Sequence, residues 1–194
     1  MPFRASAAVS GDARVGDVYL SRDEIAARVA ELGVELARRY GRREPLLVAP
    51  LKGSVVFLAD LSRVLPIAHQ LEFVELSGYG GARAGGHSAV RLLKDLDVEI
   101  AGREVLIVED VVDTGLTLNY LVKTLSLRGP ASVAVITLLD RPYRRLVDDL
   151  PVAHVGFTVP DELFVGYGFD LDERYRNLPD LHIVDATAAP AAVH

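Results

Sequence analysis

Glu109-Asp110 and, after two apolar residues, Asp113-Thr114-Gly115-Leu116-Thr117 form the densest group of reactive side chains in the sequence. Two adjacent carboxylates repel phosphate, but they accept hydrogen bonds from sugar hydroxyls or reach a hydrated divalent cation. Thr114 and Thr117 add hydroxyl donors around Gly115. The run before them, Val105-Leu-Ile-Val108, is apolar throughout, as a strand buried on both faces must be. The segment after them, from Leu116 to about Leu127, is amphipathic at helical spacing. A strand, a polar turn and a helix leave free backbone N–H groups at the positive end of the helix dipole, where phosphate binds. The stretch therefore predicts a ligand with a phosphate, a ribose and a divalent cation. An ordinary loop with solvated acids would explain the same residues taken singly.

A second turn of this kind follows the apolar run Leu46–Ala49. Pro50-Leu51-Lys52-Gly53-Ser54 leads into an apolar helix predicted from about Val55 to Val64, and Lys52 adds positive charge. A third apolar run, Ala131–Leu139, ends at Asp140-Arg141-Pro-Tyr-Arg144-Arg145, a basic loop that reads as a solvated cluster. Farther on, Phe164-Val-Gly-Tyr-Gly-Phe-Asp170 ends on an aspartate that suits either a metal held through water or plain solvent. Arg176 is a donor for anions. Between Ser77 and Ser88, five glycines in twelve residues read as a mobile lid carrying Tyr79 and Arg83. Arg83 stands where a third glycine is needed, which excludes a dinucleotide fingerprint.

The elements that must position these residues can be read around them. Asp17–Leu20 predicts a short strand. Ser21 and Glu24 form a capping box opening a helix to about Tyr40, with Ile25, Val29, Leu32, Val34 and Leu36 as its apolar positions and Gly41 as its stop. Gln70–Leu76 predicts a strand with Leu71, Phe73 and Val74 inward, and Val90–Leu96 predicts its return. Val152–Val159 and Leu181–Val184 complete the strands. Strands alternate with helices through the middle of the chain, so the fold class is α/β with a mainly parallel sheet. In such sheets ligands bind beyond the carboxyl ends of the strands. The loops at 50–54, 109–117 and 140–145 all lie there and converge by topology alone.

Half of the 194 residues are apolar and a quarter charged, a globular composition, and one domain over 17–185 is expected between flexible ends at 1–16 and 186–194. The net charge of −6 argues against a nucleic-acid surface. The absence of cysteine excludes disulfides and thiolate chemistry. No apolar run approaches the roughly 20 residues that span a bilayer, and the first residues lack the apolar core of a signal peptide. A cytoplasmic protein with no membrane partner is expected.

The order apolar strand, Glu-Asp, two apolar residues, Asp-Thr-Gly-x-Thr resembles the 5-phosphoribosyl-1-pyrophosphate (PRPP) signature of type I phosphoribosyltransferases. Four further blocks resemble the hypoxanthine–guanine branch: Leu51-Lys-Gly53 with Phe57-Leu-Ala-Asp-Leu61, Val90–Asp97, Gly166–Asp170, and Arg174–Pro179. The likeness runs from about residue 17 to 184. It implies a parallel central sheet flanked by helices, with a small hood made from the chain ends. It implies Mg²⁺-dependent transfer of phosphoribosyl from PRPP to N9 of a 6-oxopurine with release of pyrophosphate, in a homodimer or homotetramer. By resemblance, Asp113 is the acid–base group at purine N7. Backbone from Asp113 through Gly115 and Leu116 to Thr117, with the Thr114 and Thr117 hydroxyls, holds the 5′-phosphate. Glu109 and Asp110 hold the ribose hydroxyls or metal, and Asp170 holds Mg²⁺ through water. The loop Leu51-Lys52-Gly53 and Arg176 hold pyrophosphate. The Leu51–Lys52 peptide is expected to be cis, and Tyr79 belongs to the lid.

Three positions depart from the family pattern. Arg141 stands where a lysine donates to purine O6. Leu163 stands where an aromatic ring stacks on the base, with Phe164 and Val165 beside it, so either the register shifts by one to Phe164 or stacking is lost. Gly78 replaces a lid serine. The departures leave open a different base, such as xanthine. A nucleotide-sensing RNA-binding relative, using a basic face around Arg141, Arg144 and Arg145, is the alternative from another class.

Overall fold

The computed structural model describes residues 14–77 and 90–185. Its centre is a six-stranded sheet built from β2 (Leu46–Pro50), β3 (Gln70–Leu76), β4 (Leu92–Lys94), β5 (Glu104–Val112), β6 (Ser132–Asp140) and β7 (Val152–Thr158), in the order β4-β3-β2-β5-β6-β7. All neighbours are parallel except β4, which returns antiparallel to β3. The central strands are apolar on both faces because both faces are covered. Leu47, Leu106 and Ile136 point to one layer with α1 (Arg22–Tyr40) and α2 (Ser54–Val64). Leu46, Val105, Ile107 and Val135 point to the other, with α3 (Leu116–Ser126).

A separate antiparallel sheet joins the chain ends: β1 (Val15–Leu20), β9 (Leu181–Val184) and β8 (Phe164–Val165), in the order β1-β9-β8. It is the hood implied by the family likeness. Phe164 and Leu181 enter the same core as α1 and α2, so the hood is packed onto the domain. β1 begins at Val15, paired with Val184, inside the segment read as a flexible N-terminus. Residues 1–13 of that segment, the lid residues Gly78, Tyr79 and Arg83, and the tail from Ala186 lie outside the described residues.

The capping box at Ser21 and Glu24 forms, and α1 ends at Gly41 with φ +60°. Two expected inward positions are corrected. Val34 is 46% exposed and Leu71 is 42% exposed. Val34 falls off the stripe formed by Ile25, Val29, Leu32 and Leu36, and α1 instead turns Gly33 inward. A Cβ there would sit 3.0 Å from Val64 O, so the bare glycine lets α1 and α2 touch. In β3 only Val74 is fully buried, since this strand lies near the sheet edge. Among the described residues no helix is long and apolar enough to cross a membrane.

Candidate active site

The carboxyl ends of β2, β5 and β6 lie side by side, and the loops leaving them meet. β5 delivers Glu109 and Asp110 at its end, and α3 starts at Leu116 behind Gly115. Gly115 has φ +78°, and a Cβ there would lie 2.7 Å from Leu150. The conformation favours glycine, whereas the Leu150 side-chain end could shift. Among the described residues no side chain caps α3, and the contact to its first amide is a long one, Leu116 N–H to Thr114 Oγ1 at 3.5 Å. The first-turn N–H groups therefore remain donors for an anion. Glu109, Asp110, Asp113, Thr114, Gly115 and Thr117 line one cavity of about 220 Å³.

The acid pair is poised for a partner. Glu109 Oε2 is buried with no hydrogen-bond partner among the described residues. Burial pushes the Glu109 carboxyl well above the usual carboxylate range, and the charge of Asp110 adds to this. Burial also raises Asp110, against the backbone N–H groups that donate to it and the nearby Arg176 charge. Hydroxyl donors or a cation would relieve both.

The Leu51–Lys52 peptide is cis, as the family likeness implies. Gly53 follows, and a Cβ on it would meet Asp110 Oδ2 at 1.8 Å. The loop after β8 closes from the other side: a Cβ on Gly168 would meet Gly53 O at 2.4 Å. Two glycines thus let the Gly53 loop fit between the Asp110 carboxylate and the backbone at Gly168, and this brings Lys52 and Asp110 beside the 168–176 segment. There, Arg176 donates to Gly168 O at 2.8 Å and pairs with Asp170 at 2.8 Å. The loop is pinned by Tyr167, whose hydroxyl donates to Asp60 of α2 at 2.9 Å.

On the opposite side of Asp113 stands the basic loop. It is not a solvated cluster. Arg141 is only 7% exposed, donates to Glu162 O, and lies 5.4 Å over the Phe164 ring. Its Nη1 is 4.0 Å from Asp113. Arg144 pairs with Asp113 at 2.7 Å and with Asp161 at 2.7 Å. Arg145 pairs with Asp140. Each of the three is paired with a carboxylate of this chain, although Arg144 stays exposed, so the loop carries little uncompensated positive charge for an RNA-binding reading.

The hood decides the register left open at Leu163 and Phe164. Phe164 faces the core, against Tyr19 with ring centroids 4.9 Å apart, and Leu163 is 60% exposed. Phe164 is therefore corrected as a stacking residue. Val165 is fully buried, and its side chain is likewise not available to a ligand. Both residues of β8 are buried, and Leu163 precedes the strand. The structure thus brings the 51–53 and 109–117 loops, Arg141, Asp170 and Arg176 to one end of the sheet, turns the side chains of Phe164 and Val165 into the core, and leaves Leu163 exposed. It adds Arg144, Glu173, Tyr167 and Asp60. The only sequence signal for Arg144 was its place after the carboxyl end of an apolar run.

The chain matches the family described as phosphoribosyl transferase domain over residues 17–170. It is 47% identical to the hypoxanthine phosphoribosyltransferase of Salmonella typhimurium over 165 residues, 84% of this chain and 92% of that protein. It is 45% identical to the hypoxanthine-guanine phosphoribosyltransferase of Mycobacterium avium over 177 residues, 88% of this chain and 86% of that one. Its fold superposes on the crystal structure of a hypoxanthine-guanine phosphoribosyltransferase from Bacillus anthracis with TM-score 0.82 and 39% identity, covering 89% of this chain and 99% of the other.

Proposed function

The chain belongs to the phosphoribosyltransferase family, and we propose that it is a purine-salvage enzyme that transfers phosphoribosyl from PRPP to N9 of hypoxanthine or guanine. The observation that carries this reading is the stacking of Gly53 on Asp110 and of Gly168 on Gly53. It sets a cationic loop against the acid pair, and the acid pair leads along one cavity to an uncapped helix end, as a sugar carrying phosphate at one end and diphosphate at the other requires.

In this reading the first-turn amides of α3 and the Thr114 and Thr117 hydroxyls hold the 5′-phosphate. Glu109 and Asp110 accept hydrogen bonds from the ribose hydroxyls. Lys52, the backbone at Leu51 and Gly53, and Arg176 hold the diphosphate. The bond from C1′ to the diphosphate oxygen breaks, pyrophosphate leaves with that electron pair, and N9 of the base supplies the pair for the new bond. Positive charge passes from ribose to purine, and the Asp113 carboxylate stabilises it and exchanges the proton at N7. Arg144, held by Asp161, fixes that carboxylate in place.

The donor set fits Mg²⁺. Among the described residues no cluster of three or more His, Asp or Glu could enclose a metal. Mg²⁺ keeps several waters and takes its remaining oxygens from substrate phosphates, so Asp170 with Glu109 and Asp110 nearby suffices. Bound there, it would neutralise charge on the departing pyrophosphate. Arg141 supplies donors for a purine O6, favouring a 6-oxo over a 6-amino group, and Leu163 offers an aliphatic surface to the base. A homodimer or homotetramer and a cytoplasmic location complete the proposal.

The test is nucleotide formation from PRPP and Mg²⁺ with hypoxanthine, guanine, xanthine and adenine offered separately. Turnover of hypoxanthine or guanine, much reduced in Asp113→Asn, is expected. No turnover of either, or an Asp113→Asn variant with normal turnover, would overturn the assignment of base or of acid–base residue respectively.

A further inference from the structure

Lys52 and Arg176 are already occupied in the protein without ligand. The Glu173 carboxylate lies between them. Its Oε2 is 3.0 Å from Lys52 Nζ, and both its oxygens are 3.4 Å from Arg176 Nη2. The contact to Lys52 crosses 121 residues of sequence. It is not a by-product of a regular helical turn, because Glu173 has φ +61° in a segment where Asp172 and Tyr175 also have positive φ. The Glu173 N–H donates to Asp170 Oδ2 at 2.9 Å, which fixes the backbone while the carboxylate reaches out. Glu173 and Lys52 side chains are 65% and 62% exposed, so the carboxylate can swing into solvent without moving the core.

We propose that Glu173 is a built-in stand-in for pyrophosphate, a carboxylate that holds both diphosphate-binding cations in the free protein and must leave when PRPP or pyrophosphate binds. This rests on the reading of Lys52 and Arg176 as diphosphate ligands. One carboxylate carries a single charge and makes weak exposed pairs; a diphosphate carries several charges and displaces it. Observed affinity is then the difference between the two sets of contacts. Glu173 sets that difference: it weakens diphosphate binding, and once displaced it stands beside the bound anion and favours its release.

The sign of the effect distinguishes this role from a structural one. Removing an acid that only braces the loop should weaken binding, whereas removing a competitor should strengthen it. The experiment is calorimetric titration of magnesium pyrophosphate, and separately of PRPP, into the full chain and its Glu173→Gln, Glu173→Ala and Lys52→Met variants. Both Glu173 variants are expected to bind pyrophosphate about three- to tenfold more tightly, the scale of freeing one or two exposed ion pairs. The gain should shrink as salt screens the pairs. Lys52→Met should bind more weakly. If Lys52→Met weakens binding while both Glu173 variants bind as the parent does or less tightly, the stand-in role is overturned and the diphosphate site is kept. If Lys52→Met binds as tightly as the parent, the diphosphate assignment of Lys52 falls, and the inference with it.

Discussion

Replacing Gly53 by alanine tests the central stacking of the site. The added Cβ would lie 1.8 Å from Asp110 Oδ2 and 2.9 Å from Asp110 Cγ. Ordinary contact begins near 3.4 Å, so one partner must retreat by about 1.6 Å. Backbone strain plays no part, because Gly53 has φ −57° and ψ −43°, a conformation alanine adopts freely. The loop cannot back away on its other side, where Gly53 O is packed under Gly168. The Asp110 carboxylate must therefore rotate, losing the hydrogen bond from Val111 N–H at 2.8 Å. Such overpacking costs about 1–3 kcal/mol, a fall in Tm of about 2–12 °C for a chain of this size. The effect on function is larger: misplacing a substrate-holding group by an ångström or more lowers kcat/KM for PRPP by about 100-fold. Thermal denaturation paired with steady-state kinetics at varied PRPP separates the two effects. A Gly53→Ala protein with parental Tm and parental KM for PRPP would refute the reasoning, since Asp110 could not then be seated against residue 53.

Tyr167→Phe should loosen the segment that carries Asp170. Losing the hydroxyl bond to Asp60 is expected to cost about 1–2 kcal/mol and to raise KM for PRPP, read by thermal denaturation and kinetics together. Leu163→Phe should lower KM for the base about fivefold by restoring a ring for stacking. It should leave stability within about 0.5 kcal/mol because the position is exposed, and a raised KM would place the base elsewhere. The Ser132 hydroxyl, and then Arg43, hold the Glu104 carboxyl below its usual 4.5. A carboxyl depressed in the folded state stabilises above its unfolded pKa and loses that contribution as pH falls through the folded value. Glu104→Gln should therefore lower Tm at pH 7 by about 2–4 °C, with the gap to the parent closing below pH 4. A gap that stays constant with pH would refute the linkage.

Local sequence was enough for the parts of the site that a strand, a turn and a helix make by themselves. The run Val105–Val108 had to be buried, Gly115 had to turn, and α3 had to begin at Leu116 with free amides, because these follow from periodicity and backbone freedom within about twenty residues. Alternation of strands and helices was enough to place the loops at 50–54, 109–117 and 140–145 on one edge of a parallel sheet. The sequence left the partners of the charges undetermined. Arg144 finds Asp113 and Asp161, and Glu173 finds Lys52, through contacts between segments that only the closed sheet and hood bring together. A basic loop read alone therefore looked solvated when it is paired. The register at Leu163 and Phe164 was equally beyond local reading. Both residues are apolar, and only the packing of β8 onto Tyr19 and Arg141 chose which one turns into the core and which stays exposed. Periodicity fixes what a segment can become, whereas the pairing of charges and the choice of face depend on which distant surface the fold presses against it.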